Sequence, residues 1–314
     1  NMYVHSVNGN DTFGGGAAFE LGGSDSSGQP RVSFTNDILI EDCYIKSVDN
    51  CGIHGGGGSI NLDDPQGTNH VYRGNYFEDM GGAAIIVIGN EGCIVEYNVV
   101  DGAMKRYPSC AMWPWGSYNT VFQYNEVYNC DDRGDGEAFD SDYYCTGTIF
   151  QYNYSHDNPG GFMRVCNGEG GNYGTIIRYN ISVNDGATSR IFSTWKLGQG
   201  MDTQIYNNVI YSPPGRTIEL VGSSASSGSG SGSTYYWWNN IFYSNGTLRY
   251  NIKDGSTNIW SNNCFYGTHQ IPYLGFLWQS GTPNDPNKIT ADPKFINPSS
   301  AGLGFDSLDG FKLQ

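Results

Sequence analysis

An asparagine in a recurring short context most restricts how this chain of 314 residues can fold. In four copies a tyrosine precedes the asparagine, and an apolar residue often follows it. The intervals between copies are 23, 27, 28, 27, 28, 32 and 23 residues, and Cys43 takes the same position one interval earlier. The recurring residues are Asn75, Asn98, Asn125, Asn153, Asn180, Asn208, Asn240 and Asn263.

A repeat of this length without helical periodicity predicts an all-β solenoid, in which each repeat is one coil of short strands and turns. One asparagine per coil predicts an internal ladder, in which each side-chain amide bonds the next asparagine and the bent backbone beside it. The pattern corresponds to about nine to ten coils. A propeller or a sandwich is the alternative all-β fold, and the unequal repeat lengths disfavour it.

The repeat also predicts the domain organisation. We expect one β-helical domain over residues 1–290 and a closing segment at 291–314, which ends as if it were truncated. The Gly- and Ser-rich stretch 222–233 interrupts the repeat, which resumes at Tyr235. We therefore expect that stretch to be a loop inserted in a turn, not a linker between domains.

The charge balance restricts the partners of the chain. There are 16 Lys and Arg residues against 31 Asp and Glu, a net charge of −15, whereas nucleic acids and anionic membranes require clustered cations. No apolar run approaches the roughly 20 residues needed to span a bilayer. Eight cysteines without a CxxC pair exclude a zinc ribbon and leave both disulfides and buried free thiols open. The oligomeric state stays open.

The densest polar stretch holds six carboxylates between residues 131 and 142. If Phe139 and Ser141 face the solenoid interior, strand alternation puts Asp140 and Asp142 together on the outer face, with Cβ atoms about 7 Å apart. Glycoside hydrolysis uses such a pair, one neutral acid and one anion, and crowding of like charges raises one pKa. Asp140 and Asp142 are therefore candidate catalytic residues.

Two other interpretations of this acidic stretch stay open. One is a solvated acidic turn, and the other is a calcium site. Arg133 stands where an EF-hand loop needs a ligand, which excludes that motif. A less regular Ca²⁺ site could use Asp131 and Asp132, with Asp135 and Glu137 beside them. No other cofactor is predicted.

Neighbouring coils predict the walls of a substrate groove around these acids. Trp113 and Trp115 alternate in the preceding coil, so their rings would share a face beside the acids and pack on the C–H faces of sugars. Residues 155–157 (Ser-His-Asp) look like a catalytic triad, but adjacent residues cannot assemble that geometry. The further candidates for substrate contacts are Glu137, His156, Arg164 and Trp195.

The repeat and the segment 291–298 (ADPKFINP) resemble the right-handed parallel β-helix proteins that degrade polysaccharides. On residues 135–142 (DGEAFDSD) the chain resembles the β-helix lacto-N-biosidases of glycoside hydrolase family 136. The resemblance implies two catalytic aspartates seven residues apart, here Asp135 and Asp142. An extended strand would hold such positions more than about 20 Å apart, so this pair requires a bend near Gly134 or Gly136.

Three functions are compatible with these observations. The leading hypothesis is an extracellular or cell-surface glycoside hydrolase that cleaves neutral or amino-sugar glycans with a carboxylate pair. A Ca²⁺-dependent polysaccharide lyase is the second, although few basic residues are present to neutralise a uronate. The third is a non-catalytic glycan-binding or fibre solenoid. An oligosaccharide or polysaccharide is the expected partner in each case.

Overall fold

The structure, a computed structural model, describes residues 2–7, 16–21, 23–24, 30–31, 35–56, 67–167, 171–195, 202–223, 233–252, 256–274 and 277–314. It is a parallel β-helix, in which the strands of successive coils pair side by side, as the repeat predicts. Most of the loop predicted at 222–233 lies outside the described residues.

Each coil of the central region contributes three main strands, which stack on their counterparts into three parallel walls. The first wall precedes the ladder asparagines and consists of Leu39–Glu41, Val71–Arg73, Ile94–Glu96, Val121–Gln123, Ile149–Gln151, Thr175–Arg178, Asp202–Tyr206, Thr234–Trp238 and Thr257–Ser261. The second wall follows them and consists of Tyr3–Val7, Tyr44–Val48, Tyr76–Met80, Val99–Asp101, Glu126–Tyr128, Tyr154–His156, Ile181–Val183, Val209–Ser212, Ile241–Asn251 and Cys264–Tyr273.

The third wall completes the coil. It consists of Phe19–Leu21, Ile53–Gly56, Ile85–Ile88, Met112–Trp115, Glu137–Ser141, Gly161–Cys166, Arg190–Trp195 and Thr217–Ser223. The long strand Ile241–Asn251 pairs with both the second and the third wall. The remaining strands are Gly23–Ser24, Pro30–Arg31, Thr35–Asn36, Gly67–Thr68, Asn90–Glu91, Cys145–Thr146, Asn172–Tyr173 and Leu277–Ser280, and two 3₁₀ helices span Pro298–Ser300 and Phe305–Phe311.

The core is a column of apolar side chains enclosed by the three walls. In the first wall the middle residue of each short strand points inward, so that Phe122 and Phe150 of successive coils stack with ring centroids 4.8 Å apart. This alternation follows from the period of two in a strand. All eight cysteines are buried and unpaired, which decides between the two alternatives left open by the sequence. None of the described helices has the length and apolar character that a membrane crossing requires.

The asparagine ladder is present as predicted. Each ladder Nδ2 donates to the Oδ1 of the next asparagine at 2.9 to 3.0 Å. That same Oδ1 also accepts the backbone N–H beside the donor, as Asn180 Oδ1 does from Asn153 N at 2.9 Å. At one end the Cys43 N–H donates to Asn75. At the other end the Asp285 carboxylate accepts from Asn263 Nδ2 at 2.9 Å, which the repeat did not reveal.

The ladder stands at a sharp bend in the backbone. The residue before each ladder position adopts a left-handed conformation, with φ between 52° and 65° from residue 42 to residue 262. This bend turns the chain from the first wall into the second. It leaves peptide groups unpaired within the coil, and the asparagine amides satisfy them, because buried backbone groups require partners.

The C-terminal segment 291–314 runs along the outside of the second wall. Phe295 and Phe311 pack in a cluster with aromatic residues of that wall. The Tyr154 hydroxyl donates to the Gly302 carbonyl at 2.9 Å, and the Gly304 N–H donates to Glu126 Oε1 at 2.7 Å. The segment therefore contacts several coils at once.

We expect Asn153→Ala to lower the free energy of unfolding by about 1–3 kcal/mol, because it leaves buried partners unsatisfied. Asn153 donates to Phe122 O and Asn180 Oδ1 and accepts from Asn125, all within the core. Urea denaturation measures the change. Gln151→Ala is the matched control, because the Gln151 side chain donates to Gln123 and accepts from Arg178 on the half-buried surface of the same coil, outside the core. Equal losses in both variants would contradict a special role for the ladder.

Candidate active site

The strand Glu137–Ser141 and the residue that follows it position the two candidate acids Asp140 and Asp142. Phe139 is fully buried in the core. Ser141 also points inward, and its Oγ lies 2.8 Å from Thr175 Oγ1. Asp140 and Asp142 consequently occupy the outer side of the third wall, as the period of two predicts.

The two carboxylates meet a thiol from the next coil. Asp140 pairs with Arg164 across the wall, and Ser141 pairs with Val165, so Cys166 comes beside Asp142. One oxygen from each aspartate and the Cys166 Sγ all lie within 4.8 Å of one another. Asp140 Oδ1 is buried and has no hydrogen-bond partner among the residues that the structure describes.

The pKa values of these two acids are both raised by burial. The pKa of Asp140 is raised well above its ordinary value, first by burial and then by the nearby Asp142 charge. Burial raises the pKa of Asp142 to about 6, although the Tyr143 backbone N–H, which donates to Asp142 Oδ1 at 2.8 Å, opposes the shift. Of the pair, a proton is therefore favoured on Asp140, and Asp142, with a pKa of about 6, is mostly an anion at neutral pH. Carboxylate-catalysed hydrolysis uses this combination.

Arg164 holds two further carboxylates of the acidic stretch. Its Nε and Nη2 bond the two oxygens of Glu137 at 3.0 and 3.2 Å, and its Nη1 lies 2.7 Å from Asp135 Oδ1. Arg164 and Glu137 are almost completely buried, whereas the Asp135 side chain is 45% exposed. Burial raises the pKa of Glu137, and the Arg164 charge opposes that shift. The Arg164 charge thus partly compensates four crowded acids.

A bend of the kind required for the pair Asp135 and Asp142 precedes the strand. Gly134 and Gly136 have φ of +100° and +107°. At Gly136 a Cβ would lie 3.0 Å from the Asp132 Cα, so the turn has no room for a larger residue. Because the chain folds back here, Asp135 reaches Arg164, whose backbone pairs with Asp140.

The two tryptophans lie on the same outer face. Met112 pairs with Phe139, so the positions that follow put Trp113 beside Asp140 and Trp115 beside Asp142. Trp113 is only 6% exposed, and its Nε1 donates to Ser109 Oγ at 3.1 Å. Trp115 is half-buried and packs against the same apolar cluster. Trp115 is therefore the more accessible of the two rings.

The proposed calcium ligands have other partners. Asp131 lies 2.9 Å from Lys105 Nζ and 3.5 Å from Arg133 Nη2, and Asp132 accepts from Thr188 Oγ1 at 2.7 Å. Among the described residues, the group whose donor atoms could share one ion is Asp140, Asp142 and Cys166, and neither Asp131 nor Asp132 belongs to it.

His156 lies on the second wall, away from the acids. It is 2% exposed, with Nδ1 2.9 Å from Asp157 Oδ2 and Nε2 3.2 Å from Glu126 Oε1. Ser155 donates to Asp185 instead of to this histidine, so the three adjacent residues form no triad. The geometry gives no support to a contact between His156 and a substrate at the acidic site, because its strand forms a different wall of the coil.

The backbone of Trp195 pairs with Cys166, which continues the column of Trp115 and Asp142 into the next coil.

The sequence analysis missed the two thiols of this site. Cys166 lies beside the aspartates, and Cys110 donates from the preceding coil to Glu137 Oε2 at 3.6 Å. Cys166 and Arg164 are two residues apart on one strand, so side-chain alternation predicts that both lie on the same face. That alternation could have revealed the Cys166 thiol.

Fold and site together define a parallel β-helix protein with a buried acidic cluster on one outer wall. The curated lacto-N-biosidase of Bifidobacterium longum subsp. longum is 31% identical in a match that covers 67% of this chain and 16% of that protein. No protein-family profile matches the chain.

Solved structures agree with this similarity. The crystal structure of the family 136 lacto-N-biosidase from Eubacterium ramulus matches with a TM-score of 0.53 and 26% identity, over 65% of this chain and 35% of that one. Its selenomethionine derivative matches with the same TM-score and 25% identity. The chain is thus a β-helix of the family 136 type, as the sequence resemblance predicted, and it spans a minor part of the length of these relatives.

We expect Asp142→Asn to be more stable than the natural protein at pH 7 by about 1–3 kcal/mol. The folded-state pKa is raised from 3.8 to about 6, so folding is penalised when the carboxylate is ionised. This penalty is absent below the unfolded-state pKa, grows between the two values and is complete above pH 6. Thermal unfolding between pH 4 and 7 tests it.

The exposed Asp132 provides the control for this measurement. Asp132→Asn removes an exposed carboxylate of the same acidic stretch and should not produce the gain of about 1–3 kcal/mol at pH 7. An Asp142→Asn variant that is no more stable at pH 7, or whose advantage persists unchanged at pH 4, would contradict the assigned pKa direction.

Proposed function

We propose that this chain is the catalytic β-helix of a glycoside hydrolase that cleaves neutral or amino-sugar glycans. The observation that carries the proposal is the crowded pair Asp140 and Asp142. One carboxylate oxygen of each lies within 4.8 Å of the other, and burial raises both pKa values. Crowded acids oppose folding, and such groups concentrate at functional sites. The similarity to lacto-N-biosidases supports the same reaction class.

Asp142 is the proposed nucleophile. It is the more accessible acid of the pair, it is mostly ionised at neutral pH, and its Oδ1 is oriented by the Tyr143 N–H. Carboxyl groups about 5–5.5 Å apart act by double displacement with retention, whereas inverting enzymes separate them by about 6.5–9.5 Å. If Asp140 is the acid, the close approach of the two aspartates favours retention.

Two residues are candidates for the acid that protonates the leaving oxygen. Asp140 has the raised pKa that an acid needs, but it is 5% exposed. Asp135 is 45% exposed and accessible to substrate, and the family resemblance favours it, but its Oδ1 is engaged by Arg164 Nη1 at 2.7 Å. If Asp135 is the acid, Asp140 stays neutral beneath the nucleophile and can donate a hydrogen bond to it.

The remaining groups of the wall would bind the sugar. The half-buried Trp115 offers an aromatic surface beside Asp142, suited to the C–H face of a pyranose. Arg164 and Glu137 form a buried, bidentate pair that fixes the position of Asp135. The proposal includes secretion or display at the cell surface, where such glycans occur, and fractionation of the source cells tests that part.

We expect Asp142→Asn to reduce turnover by about 10²- to 10⁴-fold on every substrate, because it removes the nucleophile. Of the variants Asp135→Asn and Asp140→Asn, the one that removes the catalytic acid should lose activity on natural glycans. It should keep activity on aryl glycosides, because their leaving group needs no proton. Parallel assays of Asp135→Asn and Asp140→Asn on both substrate classes identify that residue. Asp132→Asn is the matched control and should retain full activity.

The same assays separate the other functions. New reducing ends without absorbance from unsaturated uronates support hydrolysis. Absorbance that a chelator abolishes would instead indicate a Ca²⁺-dependent lyase. Glycan binding without cleavage of any tested oligosaccharide would indicate a non-catalytic solenoid. Unchanged turnover in Asp142→Asn would remove that residue from the mechanism.

A further inference from the structure

An aromatic stack stands at a corner of the coil that the acidic site does not use. Four tyrosines precede successive ladder asparagines at the turn from the first wall to the second. Their rings stack with centroids 4.9 to 5.1 Å apart and interplanar angles of 4° to 7°. The members are Tyr97, Tyr124, Tyr152 and Tyr179, and we call them the tyrosine stack.

The backbone of these positions does not favour tyrosine. All four have φ near +55°, a left-handed conformation that glycine, asparagine and aspartate adopt more readily. Other coils use those residues at the same turn, with Asp42, Gly74 and Asn207 among them. The tyrosines are thus kept against a local backbone preference, although stacking between the rings compensates part of it.

The two ends of the stack differ. Tyr179 is covered on its outer side by the edge of Tyr206, with centroids 6.2 Å apart, and by the Arg178 guanidinium, 5.9 Å from the ring centroid. At the other end the coil position next to Tyr97 is Gly74, which has no side chain. Tyr124 is the ring that stacks on Tyr97 among the described residues, and Tyr97 is 57% exposed. One face of Tyr97 is therefore open.

Charged residues occupy the neighbouring coil positions at this corner. An Asp42 carboxylate oxygen lies 2.8 Å from the point where a Cβ of Gly74 would be, so the carboxylate overhangs the glycine. Arg73, which pairs with Glu96 across the first wall, is fixed by two bonds to Glu41 at 2.9 and 2.8 Å. A flat aromatic face bordered by fixed charged groups matches a pyranose ring, with its C–H face on the aromatic ring and its hydroxyls at the edge.

We propose that the open face of Tyr97, with Asp42 at its edge, is a second glycan-binding site, separate from the acidic cluster. It binds one pyranose ring with an apolar face, such as galactose or glucose. Asp142 lies at the end of a third-wall strand, and Tyr97 lies at the turn between the first and second walls. The surface site therefore occupies a different corner of the coil and can hold a glycan without blocking the acidic site.

The test observes Tyr97 directly. The full chain carrying Asp142→Asn and ¹³C-labelled tyrosine rings is titrated with lactose, and ¹H–¹³C spectra are recorded. Tyr97→Phe identifies the Tyr97 signal. We expect a saturable shift of that signal, no shift of the Tyr179 signal, and no response to sorbitol, which has hydroxyls but no ring face. Asp42→Ala should weaken the affinity by about tenfold, the effect of one bond to a charged group.

Gly74→Tyr provides a second, independent variant. Tyrosine already occupies this conformation in four other coils, and the Asp42 side chain that would meet its Cβ is exposed and can move. The new ring would cover the open face, so the Tyr97 signal should stop responding to lactose. A Tyr97 signal that ignores lactose in the parent protein, or that shifts equally with Tyr179 or with sorbitol, would overturn the proposal. The readout is independent of cleavage, so its failure leaves the proposed hydrolase unaffected.

Discussion

The hydrogen bond between the side-chain amides of asparagines in neighbouring coils is the interaction on which the rest of the structure depends. Every coil must turn sharply from the first wall into the second, and the turn leaves backbone groups that cannot pair within the coil. A ladder asparagine supplies both a donor and an acceptor at that point. These hydrogen bonds fix the register between neighbouring coils. Because a buried amide without a partner is expensive, slipped registers are strongly disfavoured.

This fixed register is what makes the acidic site possible. Residues from successive coils become neighbours on a wall, although 21 or more positions separate them in the chain. Cys110, Glu137 and Arg164 illustrate this, since they come from three coils and meet through direct contacts. A rigid stack can hold four acids around one guanidinium, whereas a flexible loop would let the charges move apart. The apolar core beneath Phe139 provides the energy that offsets this crowding.

The walls of the solenoid divide its functions. The third wall carries the acids and tryptophans, and the second wall is covered by the C-terminal segment, which bonds Glu126 and Tyr154. The turn between the first and second walls exposes the tyrosine stack. Separation of this kind is natural in a solenoid, because each column of equivalent positions can vary without disturbing the others.

How much of this follows from the sequence depends on whether a feature repeats. The ladder, the coil length and the outward pairing of Asp140 with Asp142 follow from periods that can be counted directly. The cap at Asp285 and the placement of His156 do not. His156 follows the acids by about the length of half a coil, and sequence distance alone does not say which wall a strand will join.

The amino-acid sequence by itself determined that the chain winds into a β-helix with asparagines inside and carboxylates crowded near residues 131–142. Only the tertiary structure decided which carboxylates are buried side by side, because that depends on distances between coils of unequal length. It also decided that Arg164 joins Asp135 to Glu137 and that one face of Tyr97 stays open. These outcomes arise where irregular turns meet the regular walls, and no sequence period extends across such turns.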